Sequence, residues 1–564
     1  MGIPVAERLT TGIQVAEQSG SEQAITRVPT AVTAFVGRTL RGPINRAVAI
    51  SGFSDYQSIF GGLWQPSTLG YSIEQYFENG GQQALVVRVI NGARPPTLEL
   101  PAAAEALRLE ALGCGTREFL RASVDYDGIG DNEEDCFNLV VQRVRAAGSE
   151  HVEDQEIYRR LSIRGDSARF VAAALAESSL ARVIGEVPVT RPDLTLRHDG
   201  RGTVGYAHSN PDGDDGAPLT AYDVIGSAVR GTGLFALKAV EQFNFLCIPP
   251  LMRDTDLGMS VLLVAARFCR DHNAMLIVDP PCSWTTAELA LQGTRAWQFH
   301  HENALMYFPR LLSYDRLRGR FEQFAPSGAI AGLLARVDRA CPLWTAIEGE
   351  EAILRPGYRP VCQVSDYERT RLAHAGVNTL QAVRPAVRLS LSARTLAGGS
   401  SGSSDWKYLA ARRLALFIVT SIERGTRWVV FESNGPALWR RVLKQIEAFL
   451  ESLDAAGAFV GREPDEAYFV VCDERINSDS DMHTGVVNIL LGFAAMRAGE
   501  YHTYVISHDP AGSHVRPVSV NRFETGGRRL DEEMEGEAVS APFSPTRTSQ
   551  LPRAQLPRHW RPSR

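Results

Sequence analysis

Long apolar runs are missing from this sequence. A bilayer-spanning helix needs about 20 consecutive apolar residues, and the longest stretches here, such as Leu414–Val419, are far shorter. The opening MGIPVAERLT has neither the basic-plus-apolar pattern of a secretory leader nor the hydroxyl residue at position 6 that myristoylation requires. The chain is therefore expected to be made and kept in the cytosol unless lysis releases it. Paired cysteines are missing too. The eight cysteines, at 114, 136, 247, 269, 282, 341, 362 and 472, form no CxxC, which argues against a zinc knuckle or a dithiol redox centre. Several lie in apolar runs, as small buried hydrophobes in a reducing compartment would. An excess of one charge is also absent. A net charge of −6 over 564 residues gives no reason to expect nucleic acid or an acidic membrane as a partner.

Catalytic signatures are equally scarce. There is no GxxxxGK[ST] and no HExxH, and Gly231-Thr232-Gly233 is half of a dinucleotide fingerprint without its third glycine. Gly398–Gly402 fits GxSxG around Ser400, and Asp473 and His502 follow in the order of a hydrolase triad. A nucleophile elbow needs a strand running into the turn, whereas this match lies in the run GGSSGSS, so a linker is the expected reading and a serine hydrolase the alternative. Asp125, Asp127, Asp131 and Asp135 crowd one loop and Asp212, Asp214 and Asp215 another. Neither has a calcium-loop frame, so both read as solvated acidic turns. His300 and His301 before Glu302 read as a helix end, and Asp279, before Pro280 and Pro281, as a capping or turn residue at the end of a strand. No cofactor and no metal are expected.

What is present is an ordinary globular composition, 44% hydrophobic and 22% charged, at a length that calls for two to four domains. Residues 1–30 are polar and aperiodic and read as an extended arm, with Gly12–Gln18 a short alternating strand that has no evident core of its own. Strands are expected at Thr33–Gly37, Ala47–Ile50 and Leu85–Ile90, a helix opened by a Ser54/Gln57 capping box, and a second helix at Tyr71–Asn79. Residues 94–220 are richer in charge and loops, with strands at 119–126, 137–144 and 157–163 and a helix at 166–177, and read as an inserted domain. From 221 to 397, strands at 243–248, 274–278 and 304–308 alternate with helices at 257–271, 286–297 and 328–337, the pattern of a largely parallel sheet. A Gly/Ser joint at 398–404 leads to an α+β unit at 405–508. That unit has helices at 406–423 and 436–454, and strands at 427–431, 468–472, 486–491 and 501–506. The Pro/Arg-rich stretch 509–564 reads as disordered. The fold class expected is α/β and α+β multidomain, with a discontinuous core (31–93 and 221–397).

The helix 436–454 has a reversed charge order. Its buried stripe is expected from Trp439, Leu443, Ile446, Phe449, Leu450 and Leu453. Arg440, Arg441 and Lys444 sit in its first half and Glu447, Glu451 and Asp454 in its second, opposite to what the macrodipole favours. A solvated face with i,i+3 pairing accounts for this order, and so does a basic surface presented to an acidic partner.

The ordered set of segments TAVTAFVGR (30–38), GFSDYQSIFGG (52–62), QYFENGG (75–81), LIVDPP (276–281), APSGA (325–329), ARTLA (393–397), DWKY (405–408) and RGTRWVVFE (424–432) resembles the contractile tail sheath proteins, over most of residues 10–508. The resemblance implies a structural protein and not an enzyme: a subunit of six-fold rings stacked around an inner tube, shortening to drive the tube through a target envelope. Its partners would be itself, the inner tube protein, and baseplate and tail-terminator proteins, with no nucleic acid and no membrane insertion. It would reside in a phage tail or a released injection particle. By the same resemblance the C-terminal unit lies against the tube and the insert faces outward. Neighbouring subunits would be linked by strands added to C-terminal sheets. The arm strand is then Gly12, Ile13, Gln14, Val15, Ala16 and Glu17. A C-terminal pairing strand lies either at Tyr501, His502, Thr503, Tyr504, Val505 and Ile506 or at His514–Val520. Arg440, Arg441 and Lys444 become a tube or neighbour contact.

Overall fold

The computed structural model describes residues 24–130, 132–195, 205–297, 299–345, 349–383, 386–389, 393–399, 405–461, 464–497 and 499–518. The core opens with β1 (Thr33–Gly37), β2 (Ala47–Ile50), α1 (Phe53–Phe60), α2 (Leu69–Glu78) and β3 (Ala84–Arg88). Helix α1 starts at an extended Gly52, ahead of Ser54, and the Ser54/Gln57 box does not form. Asp55 instead accepts from the N–H and hydroxyl of Ser51, at 2.9 and 2.6 Å, which ties the helix back to the end of β2.

The insert follows as β4 (Thr97–Ala102), β5 (Glu105–Ala111), β6 (Leu120–Asp125), β7 (Cys136–Val144), β8 (Val152–Ser162), α3 (Val171–Ala176), β9 (Ala181–Val183) and β10 (Ala207–His208). Its sheets, β4-β5-β9 and β10-β6-β7-β8, face each other across Leu100, Leu107, Leu109, Val124, Phe137 and Leu139. The expected helix at 166–177 is only α3, because residues 164–170 turn back to pair Ser162 with Phe170.

The core resumes with α4 (Ala221–Ile225), β11 (Phe245–Cys247), α5 (Met259–Asp271), β12 (Met275–Val278), α6 (Ala287–Trp297), β13 (Ala304–Phe308), β14 (Leu311–Asp315), β15 (Arg320–Phe324), α7 (Ser327–Ala340), β16 (Arg359–Pro360), α8 (Asp366–His374), β17 (Asn378–Val383) and β18 (Ala386–Leu389). Eight strands form one sheet in the order β18-β17-β13-β12-β11-β1-β3-β2, parallel except for the antiparallel edge strands β18 and β2. Alternation along each strand sends side chains to both faces. Ala34, Val36 and Leu246 pack under α4, α5, α6 and α8, while Phe35, Phe245 and Cys247 pack under α1, α2 and α7. Helix α7 lies so close to α2 that a Cβ on Gly328 or Gly332 would sit 2.0 Å from the Ser72 carbonyl or 2.2 Å from that of Tyr76.

The C-terminal unit comprises α9 (Leu409–Gly425), α10 (Pro436–Asp454), α11 (Pro464–Ala467), β19 (Tyr468–Val471), α12 (Asp479–Thr484), β20 (Val487–Phe493), β21 (His502–Asp509) and β22 (Gly512–Val518). Three expectations are corrected here. Arg427–Phe431 is a 3-10 helix and not a strand: it pairs with no strand among the described residues, only Val429 is buried, and its N–H reaches back to Thr426. The chain does not lose order after His508, because β21 runs to Asp509 and β22 adds a fourth strand; the rest of the tail, 519–564, lies outside the described residues. The buried stripe of α10 uses Leu438 and Val442 in addition to the aromatics, and Leu443 is only half-buried.

Candidate assembly surface

The C-terminal sheet runs β19-β20-β21-β22, all antiparallel. Among the described residues, β19 and β22 each pair on one side only. Of the first candidate, Tyr501–Ile506, all but Tyr501 lies in β21, an inner strand within this subunit. Thr503 to Ile506 lie in β21 and have partners on both sides, Thr503 between Gly492 and Val518, and Ile506 between Ile489 and Val515. The open edge is the second candidate, His514–Val518 in β22. No alternation marks it in the sequence, since Val515 and Val518 fall on opposite faces, and Pro517 there is tolerated because an edge strand can spare an N–H.

Instead of offering an edge, β21 fastens the unit to the core. His502 packs on Trp406 at 4.0 Å between ring centres. The Tyr504 hydroxyl accepts from Arg412 at 3.2 Å, and burial pushes its phenol up. Arg412, on α9, reaches on to Glu302 at 2.9 Å and to the Asn303 side chain at 2.7 Å. Arg413 beside it forms a buried ion pair with Asp338 of α7. The sequence displays RRL at 412–414 without a sign that both guanidinium groups point inward.

Arg440, Arg441 and Lys444 are all exposed on α10. Arg440 donates to the Pro436 carbonyl at 3.2 Å, and Arg441 pairs with Glu432 at 3.5 Å while lying over the Trp428 ring. Phe431, 89% exposed in the turn that leads to this helix, is an apolar group that the expected strand would have hidden. The arm residues Gly12, Ile13, Gln14, Val15, Ala16 and Glu17 lie outside the described residues. The described chain begins at 24, and Ile25 and Val28 are already packed on α9 and α10, so the core-bound chain starts earlier than residue 31.

Among the described residues, those read for chemistry do not come together. Ser400 lies outside the described residues. Asp473, just past β19, is engaged by Arg475 and lies beyond the row of Val471 and Val505, whereas His502 begins β21 at the sheet's other end. His301 accepts from the Asn303 N–H and burial holds its imidazole below the usual range; His300 faces the Leu396 carbonyl. No cluster able to hold a metal ion occurs among the described residues. The acidic loop at 212–215 clamps the stem of the insert. Asp212 takes both the N–H and hydroxyl of Thr97, and Asp215 those of Thr116, at 2.6–2.9 Å. Asp279 caps α7. α/β sheets bind ligands where the strand order reverses, here between β1 and β11. That crevice is filled: Thr68 donates to the Pro250 carbonyl and Ser67 to the Arg38 carbonyl, and α2 begins on top of them.

Residues 401–506 match the family described as the phage tail sheath C-terminal domain. No curated protein sequence matches the chain. Among solved structures, the sheath tail protein of Listeria innocua aligns with a TM-score of 0.57 at 12% identity, over 86% of this chain and 97% of its own. A sheath tail protein of Desulfitobacterium hafniense aligns with a TM-score of 0.50 at 12% identity, over 90% of this chain and 100% of its own. The chain has their fold from the core through to the C-terminal sheet. The likeness to a family is shown for residues 401–506, and the likeness to the solved sheath proteins is one of fold.

Proposed function

We propose that this chain is the repeating subunit of a contractile sheath: copies form six-fold rings, the rings stack around an inner tube, and shortening of the stack drives the tube through a target envelope. The observation that carries the reading is the C-terminal sheet, in which β19 and β22 are the edge strands among the described residues. A strand from a neighbour can satisfy such an edge through main-chain hydrogen bonds alone. The donor in this reading is the strand Gly12–Glu17. A contact that does not close on itself extends rings into a helical tube. The stored energy is then a difference between two lattices of interfaces, so no fuel-hydrolysing site is called for. The exposed Arg440, Arg441 and Lys444, together with Phe431, are the surface offered to the tube. The insert faces outward, and baseplate and terminator proteins cap the stack in the tail of a phage or an injection particle.

Electron microscopy of the purified chain tests this reading. Wild-type protein is expected to form tubes or stacked rings, whereas a chain lacking residues 1–20 folds but does not stack. Normal tubes from the truncated chain would remove the arm from the mechanism, and a wild-type chain that stays a single globule with and without tube protein would remove the sheath reading itself.

A further inference from the structure

The joint between the core and the C-terminal unit is built around a third element, residues 24–32. Ile25 and Val28 are buried against α9 and α10, and Gly425 makes room: a Cβ there would lie 2.9 Å from the Ile25 side chain. The Val28 N–H points at the Ser421 hydroxyl of α9, 3.4 Å away. Asn244, just before β11, holds the segment at two points, donating to the Pro29 carbonyl and accepting from the Val32 N–H, each at 2.9 Å. The Thr30 hydroxyl donates to Asp338 at 2.9 Å, and its carbonyl accepts from Arg413 at 3.3 Å. Thr30 thereby closes the buried Arg413–Asp338 pair that joins α9 to α7. A buried ion pair whose remaining lone pairs are satisfied fixes geometry more than it adds stability.

Behind this segment the two units part. A void of about 20 Å³, room for about one water, lies directly under Val28 and Thr30. Beyond it a cleft of about 430 Å³ separates α9 and β22 from the C-terminal end of α5. The side chains at this cleft that join the units are long and polar: Arg424 to Glu241 at 2.7 Å and Arg412 to Glu302 at 2.9 Å. One side of the joint is thus packed and tied to residues 28–32 by side-chain hydrogen bonds, and the other is a cleft crossed by Arg424 and, at its buried end, by Arg412.

We propose that residues 24–32 are a strap that sets the angle between the C-terminal unit and the core, and that releasing it lets the cleft change width. The C-terminal unit then has a rest position on the core that is held by a removable segment of chain. Where the preceding residues are engaged by a neighbour, a pull on them reaches this joint first.

The test measures cleft width in isolated full-length subunits. Spectroscopic labels are introduced through non-natural amino acids at Arg270 and Arg516, on opposite walls, and their separation is read by pulsed electron resonance. In Thr30→Ala/Asn244→Ala, amide exchange over residues 25–32 is expected to accelerate about tenfold or more, as loss of buried hydrogen bonds implies. The label separation is expected to broaden relative to wild type. Thr30→Ala alone is the milder arm if the double variant does not fold, with the same expectation at smaller amplitude. Faster exchange with an unchanged separation would show that the joint holds without the strap, and unchanged exchange would show that these bonds do not hold it; either result overturns the proposal. Whether wild-type protein forms tubes is a separate readout, so failure of the sheath reading is told apart from failure of this one.

Discussion

The carboxylate of Asp279, at the end of β12, accepts from both the backbone N–H and the hydroxyl of Ser327, each at 2.8 Å, and so caps α7 from a neighbouring strand. Burial pushes its acid up to about 6 from an ordinary 3.8, against the opposing pull of Ser327 and Arg310. A raised folded-state value means that the fold prefers the protonated form. The associated stability is present in full below pH 4 and is lost as pH rises through 6, about 3 kcal/mol in all. Asp279→Asn keeps an acceptor for Ser327 and has no proton to lose. Denaturant midpoints are expected to fall between pH 4 and 6.5 for wild type relative to the variant, and parallel curves would refute the assignment.

His508 carries the opposite sign. Its Nε2 lies 2.8 Å from the Thr426 hydroxyl, which itself donates to the Ile422 carbonyl, and its Nδ1 lies 2.7 Å from the Ser513 hydroxyl. Burial, with Arg427 nearby, pulls the imidazole down to about 4. The neutral ring therefore stabilises the β21–β22 hairpin above pH 6.5, and that contribution, about 3 kcal/mol, is lost as pH falls through 4. His508→Gln should weaken the fold at pH 7 and flatten the acid limb of the stability curve. Hydrogen exchange in β22 as a function of pH is the direct readout.

Gly328 and Gly332 allow α7 to touch the backbone of α2. Gly332→Ala gains about 1 kcal/mol of helix propensity. It also drives a Cβ to 2.2 Å from the Tyr76 carbonyl, and overpacking of that kind costs about 1–3 kcal/mol or more. A net loss of stability is expected, larger for valine than for alanine, and thermal denaturation of the two variants measures it.

Arg88, 1% exposed, donates to the carbonyls of Gly42 in the core and Cys114 in the insert, both at 2.7 Å. Arg88→Met leaves both carbonyls unsatisfied, at about 1–3 kcal/mol each. The stem should become a protease site: limited proteolysis is expected to cut near residues 91–96 in the variant and not in wild type.

In the eight-stranded sheet β1, β2, β3, β11, β12 and β13 were legible as short apolar runs, whereas β17 and β18, at Asn378–Val383 and Ala386–Leu389, were not read as strands. Ala304–Phe308 and Pro436–Asp454 match their expected bounds. Thr97–Ala102 and Glu105–Ala111 were missed because one face of each is solvated, and the sequence LELPAAAEALRLEA has helical composition that pairing overrides. β22 was read only as one of two alternatives for a pairing strand, inside a stretch otherwise expected to be disordered, because His514–Val518 has a polar composition with little to bury. The assembly surface was legible only through the collinear likeness to sheath proteins. An open edge is a property of what does not pair, and no residue type encodes it. The strap was hidden because Asn244, Asp338 and Arg413 lie far apart in sequence and meet only through tertiary packing.

The two crossings of the insert's stem are side by side, with Arg94 and Asp214 exchanging backbone hydrogen bonds at 2.9 Å in each direction. Entry and exit are therefore separated by a single strand spacing. A short loop could bridge them without disturbing the order of the eight-stranded sheet, provided it offers Arg88 a carbonyl in place of that of Cys114. The stem is thus a socket: the insert could be removed, or exchanged for a foreign domain with equally close ends, while the sheet beneath keeps its registry.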